Sequence, residues 1–302
     1  MNRPPLAKRL KRGIRYGLVR LALALVGSLP VKWAGRIGEA FGALAYRVAG
    51  TERRRALDGL ARAFPDSPAE ARAALAQETF RHLGRCAFEL ACVRKMDPAL
   101  EAWVEWPEAD RRVLEGALSE GKGVLFISGH VGNWELLARR VAMAGYPCQT
   151  IAKETTDPRL TRLVERFRSA GKLKSIWRGQ DGAAKAMLKA LKGGEILGML
   201  IDQDTKVQSV FVPFFGHPAS TPRAAADLAL RTGAAVVMGF CHRLPDGRYR
   251  LSMRELEFSP SVDREADAVA LTARMTAEIE AAIRTAPAQW VWMHRRWKTQ
   301  PA

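Results

Sequence analysis

Between Trp103 and Thr285 the hydropathy pattern switches repeatedly between two periods. Short, nearly continuous apolar runs predict buried strands at 124–128, 149–152, 196–201, 210–214, 235–241 and 248–256. Apolar residues recurring every three or four positions predict helices near 107–119, 133–145, 157–171, 181–193, 222–232 and 264–285. Strands alternating with helices imply a mostly parallel, mixed sheet flanked by helices, an α/β fold. In such sheets chemistry gathers where strands end and helices begin.

Upstream the pattern is helical throughout. One helix is predicted to end near Phe64 and Pro65. The next opens on a capping box, with Ser67 as N-cap, Pro68 at the first helical position and Glu70 three past the cap, and runs to about Met96. The apolar run "LALALVGSLPV", residues 21–31, spans 11 positions, short for a bilayer crossing, which takes about 20; adding Gly13 to Arg20 reaches that length only if Arg15 and Arg20 snorkel, so a true span stays as an alternative. A second amphipathic stretch follows, with Ile37, Phe41, Leu44 and Val48 at helical spacing.

Charge gives this N-terminus a purpose. The chain carries a formal charge of +17, and the first 20 residues hold seven basic groups: Arg3, Lys8, Arg9, Lys11, Arg12, Arg15 and Arg20. No acid appears before Glu39. Basic groups beside short apolar helices fit a monotopic anchor on an anionic leaflet, each cation near the surface adding roughly 1 kcal/mol. A secretory signal is the rival, but "GSLPVKWAG" is a weak cleavage site. Residues 1–50 therefore read as membrane-associating helices and 51–302 as an α/β domain with a helical N-terminal part. A basic nucleic-acid binder is the competing reading, and it is disfavoured.

Cys86, Cys92, Cys148 and Cys241 form no C-x-x-C pair, and the five histidines form no H-E-x-x-H. Neither a metal nor a cofactor is expected.

The stretch "VLFISGHVGNWELL" leaves a predicted strand, places His130 at its exit and Glu135 in the first turn of a helix. Gly132 and Asn133 supply the turn, and Asn133 is a good N-cap. On one continuous helix, residues five apart point about 140° apart. The pair converges only with His130 in the loop and Glu135 on the helix. A carboxylate on one ring nitrogen fixes the imidazole tautomer, and the other nitrogen then serves as general base for an alcohol. Free N–H groups at the helix start suit an oxyanion. No Ser or Cys sits in a nucleophile elbow, so direct transfer is simpler than a covalent intermediate. "GHVGN" partly matches the H-x-G-H signature of adenylyl-transferring enzymes, but Asn133 replaces the second His.

Other polar candidates are Arg178, placed to bind a phosphate, and Asp202 and Asp204, which end a strand and suit polar positioning better than a metal. Phe211, Val212, Pro213, Phe214 and Phe215 form an apolar wall. Ser220 or Thr221 before Pro222 reads as a helix cap. In "QWVWMHRRWK", Trp290, Trp292 and Trp297 interleave with basic residues, which fits packing plus phosphate or interface contact, with His294 structural.

"GHVGNWE" resembles the H-x-x-x-x-D/E block of the glycerolipid-type acyltransferases, and specifically the late acyltransferases of lipid A biosynthesis. "IWRGQDGAAKAMLKALKGGEILGMLIDQD" (176–204), "SVFVPFFGHPASTP" (209–222) and "APAQWVWMHRRWKTQP" (286–301) resemble three further blocks of that family, in order. The resemblance implies an enzyme at the cytoplasmic face of the inner membrane. It implies an acyl carrier protein thioester as donor and a hydroxyl of a lipid A precursor, or of another glycolipid or lysophospholipid, as acceptor. It makes His130 the base and Glu135 its partner, and Arg178 and Asp202 match polar positions of the family's middle block that are implicated in the active site; Asp204 and Asn133 are added as substrate-binding candidates from their own placement. The chain departs from many relatives at "IDQDTK" and "FFGHPAS", which bears on the acceptor rather than the chemistry.

Overall fold

The computed structural model describes residues 6–301, with the side chains of the first helix from Arg9 onward. Arg3 and the Lys8 side chain lie outside the described residues. Helix α1 (Leu6–Ser28) stops before Pro30, and α2 (Val31–Val48) and α3 (Gly50–Ala63) follow. The stretch expected as one helix to Met96 is α4 (Ala69–Ala91) and a short turn α5 (Val93–Met96), broken at Cys92. The capping box does not form. Pro68 occupies the cap position and no side chain bonds the first turn. Instead Arg72 reaches back to the carbonyls of Phe64, Pro65 and Ser67.

After the short α6 (Leu100–Trp103), β1 (Val104–Glu105) and α7 (Glu108–Ser119), strands and helices alternate. They run β2 (Val124–Ser128), α8 (Trp134–Met143), β3 (Cys148–Lys153), α9 (Pro158–Ala170), β4 (Lys174–Arg178), α10 (Ala183–Lys192) and β5 (Ile196–Leu200). A hairpin of β6 (Ser209–Phe214) and β7 (His217–Pro222) precedes α11 (Ala224–Thr232), β8 (Ala235–Arg243), β9 (Tyr249–Glu255) and α12 (Arg264–Thr285). The main sheet has seven strands in the order β1-β9-β8-β2-β5-β3-β4, parallel except at the β8–β9 pair. It is the α/β architecture that strand–helix alternation implies.

Two predicted features change place. The 210–214 run lies in the separate two-stranded hairpin rather than in the main sheet. Ser220 and Thr221 belong to β7 instead of capping α11; Thr221 accepts a bond from the buried Arg296, and the Arg296 guanidinium also bonds the Ser220 carbonyl.

The period of two divides the sheet's side chains between two cores. Leu125, Ile127, Leu197, Val236 and Met238 face α11 and α12 with Leu271, Met275 and Ile279. Val124, Phe126, Ile196 and Val237 face the other way, with Leu114, Leu137 and Val141 of α7 and α8.

The N-terminal helices are built inside out. Gly38 and Gly42 of α2 lie against α4, where a Cβ on Gly42 would stand 2.1 Å from the Phe80 carbonyl oxygen. Small residues thus let the two backbones touch, and the large ones face outward. Trp33, Phe41, Leu44 and Val48 are exposed, as are Leu10, Ile14, Leu18, Leu21 and Leu25 of α1. Among the described residues no helix is long and apolar enough to cross a membrane.

Candidate active site

Strands β2 and β5 are parallel neighbours, with Ser128 opposite Leu200. His130 and Asp202 each lie two residues past those ends, so the register alone sets them side by side. The His130 backbone N–H donates to Asp202 Oδ2 at 2.7 Å, and His130 Nδ1 lies 2.8 Å from Asp202 Oδ1. Trp290 Nε1 donates to Oδ2 as well, at 2.8 Å. Burial by itself would raise the Asp202 carboxyl, but His130 and the bonds from His130 and Trp290 outweigh it and hold the group at about 2. An ionised carboxylate only accepts, so Nδ1 carries a proton, and in the neutral ring the lone pair is on Nε2. The ring packs edge-on against Trp134, centroids 4.9 Å apart, and remains 22% exposed.

The partner expected for His130 was Glu135, and here the structure corrects the sequence reading. Glu135 sits in the first turn of α8 and pairs with Arg168 of α9, Oε1 to Nη2 at 2.5 Å and Oε2 to Nε at 3.2 Å. The carboxylate on His130 is Asp202's. Five positions along a strand-to-helix turn bring Glu135 into the same cleft as His130 without joining the two.

Asn133 caps α8 as foreseen, accepting from Leu136 N at 3.1 Å. Its amide donates to Tyr249 Oη, and the residue is buried away from the cleft lining, so its side chain positions the loop rather than touching a substrate. Asp204 is also buried. It accepts from Thr299 N at 2.9 Å, and its own N–H donates to His294 Nε2. It ties down the C-terminal segment, so the two aspartates diverge rather than share a ligand. Burial lowers His294 to about 4, leaving it neutral and able to accept. The expectation of free N–H groups at the helix start narrows: Gly132 N–H is spent on Gln289 O and Asn133 N–H on Cys241 O.

His130 opens onto a cleft of about 440 Å³. Arg178 lines it from the end of β4, and Lys153, its register partner on β3, stands beside it. Glu135 is the one acid in the lining, and Arg168 neutralises it. The cleft adjoins a narrow apolar slot of about 60 Å³ beneath α8. Phe126, Cys148, Thr150 and Gly198 form the slot's sheet face, and Leu137, Ala138 and Val141 its helix face. Trp134, Glu135 and Arg168 border both spaces.

Arg168 and Lys153 were not singled out in the sequence, and Trp290 was singled out only for packing and phosphate or interface contact, not as a partner of Asp202. Lys153 was legible in principle, since it ends a predicted strand as Arg178 precedes a predicted helix. Arg168 and Trp290 depend on contacts 33 and 88 residues away and leave no local signal.

The chain matches the bacterial lipid A biosynthesis acyltransferase family over residues 5–299. It is 30% identical to the lipid A biosynthesis lauroyltransferase of Escherichia coli (strain K12), covering 95% of this chain and 93% of that one. It is 29% identical to the palmitoleoyltransferase of the same organism, with the same coverage. Over 61% of its length it is 27% identical to the phosphatidylinositol mannoside acyltransferase of Mycolicibacterium smegmatis. A match to the family across nearly the whole chain, on a fold that sets a His–Asp pair at adjacent strand ends, places the protein in the bacterial lipid A biosynthesis acyltransferase family.

Proposed function

We propose that the protein moves a fatty acyl chain from an acyl carrier protein thioester to a hydroxyl of a lipid A precursor. The observation that carries the reading is the His130–Asp202 pair at the junction of a basic cleft and an apolar slot. Asp202 holds the proton on Nδ1. His130 Nε2 takes the acceptor's hydroxyl proton as the oxygen attacks the thioester carbonyl. The C–S bond then breaks, and the leaving thiolate takes the proton back from His130, so the base is regenerated. The N–H groups of Trp134 and Glu135 make no hydrogen bond among the described residues. They are the donors assigned to the oxyanion.

The acyl chain occupies the slot beneath α8, whose walls are apolar. At about 60 Å³ the slot is tight, so its side chains part as the chain enters. Glu135 and Arg168 form its polar lip. Lys153 and Arg178 bind the acceptor's phosphate, Arg178 being able to do so bidentately. Residues 1–50 carry the exposed apolar positions of α1 and α2 beside basic groups, which supports seating on the cytoplasmic leaflet. Residues 51–302 carry the chemistry.

A second acceptor class is favoured by one finding: the phosphatidylinositol mannoside acyltransferase is also similar to this chain. The test supplies purified protein with acyl-loaded carrier protein and either a tetra-acylated lipid A precursor or a lysophospholipid or mannosylated phospholipid. Mass spectrometry reads the lipids. The proposal predicts a gain of one acyl group on the lipid A precursor. A gain only on the other lipids transfers the chemistry to a different acceptor, and no gain on any lipid removes the proposal.

A further inference from the structure

Behind the His130 loop, on the side away from the cleft, lies a buried polar cluster that the proposed chemistry does not use. Glu89 of α4 is almost fully buried and accepts from Arg243 through both oxygens, at 2.8 and 2.9 Å. Tyr249 Oη donates to the same carboxylate at 2.6 Å, and Arg85 reaches it at 2.9 Å. Replacing such a buried ion pair with apolar residues is often neutral or stabilising, so stability alone is a weak reason for it.

Its contacts show another use. Asn133, the residue that turns the His130 loop into α8, donates its amide to Tyr249 Oη at 3.3 Å. Gly132 O lies 3.1 Å from His82 Nε2, about two turns before Glu89 on α4. Gln289 bonds both backbone groups of Arg243, and its own carbonyl takes Gly132 N–H at 2.7 Å. Gly132 has φ +61°, and a Cβ there would stand 1.9 Å from the Cys241 carbonyl oxygen. Gly132 and Asn133 are therefore held from α4, β8, β9 and the C-terminal segment together. Burial, helped by the Arg243 charge, lowers His82 to about 4, so at neutral pH it is uncharged and presents one N–H, which Gly132 O accepts.

We infer that His82 and Tyr249, backed by Glu89 and Arg243, are positioning residues that set the angle of the His130 imidazole through the Gly132–Asn133 turn. The inference rests on the proposed role of His130. Neither side chain lines the cleft, so both act through the loop. A small displacement at a reacting group costs up to about 100-fold in rate.

The test compares Tyr249→Phe, His82→Ala and His82→Gln with wild type in the acyl-transfer assay, well below each melting temperature. Leu114→Ala, a buried core change on α7 that removes no hydrogen bond to the Gly132–Asn133 turn, is the control for destabilisation alone. Tyr249→Phe and His82→Ala are expected to lower kcat about 10- to 100-fold with KM for donor and acceptor within about twofold. His82→Gln, which restores an N–H, is expected to recover most of the rate. The His130 imidazole NMR signals are expected to move in the first two variants and to stay in place in Leu114→Ala. That readout needs no turnover, so it stands even if wild type acylates nothing and the proposed function fails. Unchanged His130 signals in folded Tyr249→Phe and His82→Ala would overturn the inference, as would an equal loss of kcat in Leu114→Ala.

Discussion

Asp202→Asn changes one atom and reverses one proton. Asp202 Oδ2 accepts two N–H donors, from the His130 backbone and Trp290, at 2.7 and 2.8 Å. An asparagine places its carbonyl oxygen there, because the flipped amide would leave both donors unpaired, at roughly 1–3 kcal/mol each. Its NH₂ then replaces Oδ1, 2.8 Å from His130 Nδ1, and it can only donate. Nδ1 must give up its proton, Nε2 must carry one, and the base toward the cleft is lost. General-base catalysis contributes about 10²–10⁴ in rate, so kcat should fall by about that factor, or roughly 3–5 kcal/mol. Steady-state acyl transfer gives kcat and KM, circular dichroism confirms folding, and ¹⁵N shifts of the His130 ring report the tautomer. Glu135→Gln is the comparison. It frees Arg168 and leaves the His130 tautomer unchanged. A folded Asp202→Asn protein with kcat within threefold of wild type would refute the reasoning. So would a tautomer switch in Glu135→Gln and not in Asp202→Asn.

Further outcomes follow from other parts of the molecule. Gly198 lines the apolar slot, where even a Cβ meets Thr150 Cγ2 at 3.1 Å; Gly198→Val should shift the preferred donor to shorter acyl chains in a competition among carrier proteins loaded with different lengths. Lys153→Ala with Arg178→Ala should raise KM for a phosphorylated acceptor about 10-fold or more while kcat changes little, and added salt should shrink the difference. Stability should fall as pH drops from 6.5 toward 4, because the unfolded chain binds protons at His82 and His294 that the folded chain refuses. Burial lowers both from 6.5 to about 4, and at 1.36 kcal/mol per pH unit the better buried His82 alone accounts for roughly 3 kcal/mol, fully present above pH 6.5 and readable by urea melts across that window. Leu18→Glu with Phe41→Glu, both at exposed positions, should abolish flotation with anionic vesicles and leave the melting temperature unchanged.

The main sheet was legible because its central strands are continuous apolar runs, and β2, β5 and β8 lie where hydropathy puts them. The strands that were missed are polar or broken by proline. "KSIWR" is an edge strand with one buried residue, and "HPASTP" pairs only within a two-stranded hairpin. The apolar spacing of α1 and α2 was read as a membrane-associating face rather than a core face, and in α2 the glycines are buried while Phe41, Leu44 and Val48 are exposed. At the site, His130 and Asp202 were each visible as strand-end residues. Their pairing was not, because β2 and β5 are separated by two strands in the chain and adjacent only in the sheet. Local spacing favoured Glu135, and nothing in the sequence reveals that Arg168 already holds it.

The central claim is that His130 is the base of an acyl transfer. The most direct measurement runs wild type and His130→Ala side by side with acyl-loaded carrier protein and a tetra-acylated lipid A precursor, counting acylated lipid by mass spectrometry and checking that both proteins melt alike. One added acyl chain is expected with wild type, and at most about 1% of that rate with the variant. An equally folded His130→Ala protein that acylates the precursor at the wild-type rate would contradict it.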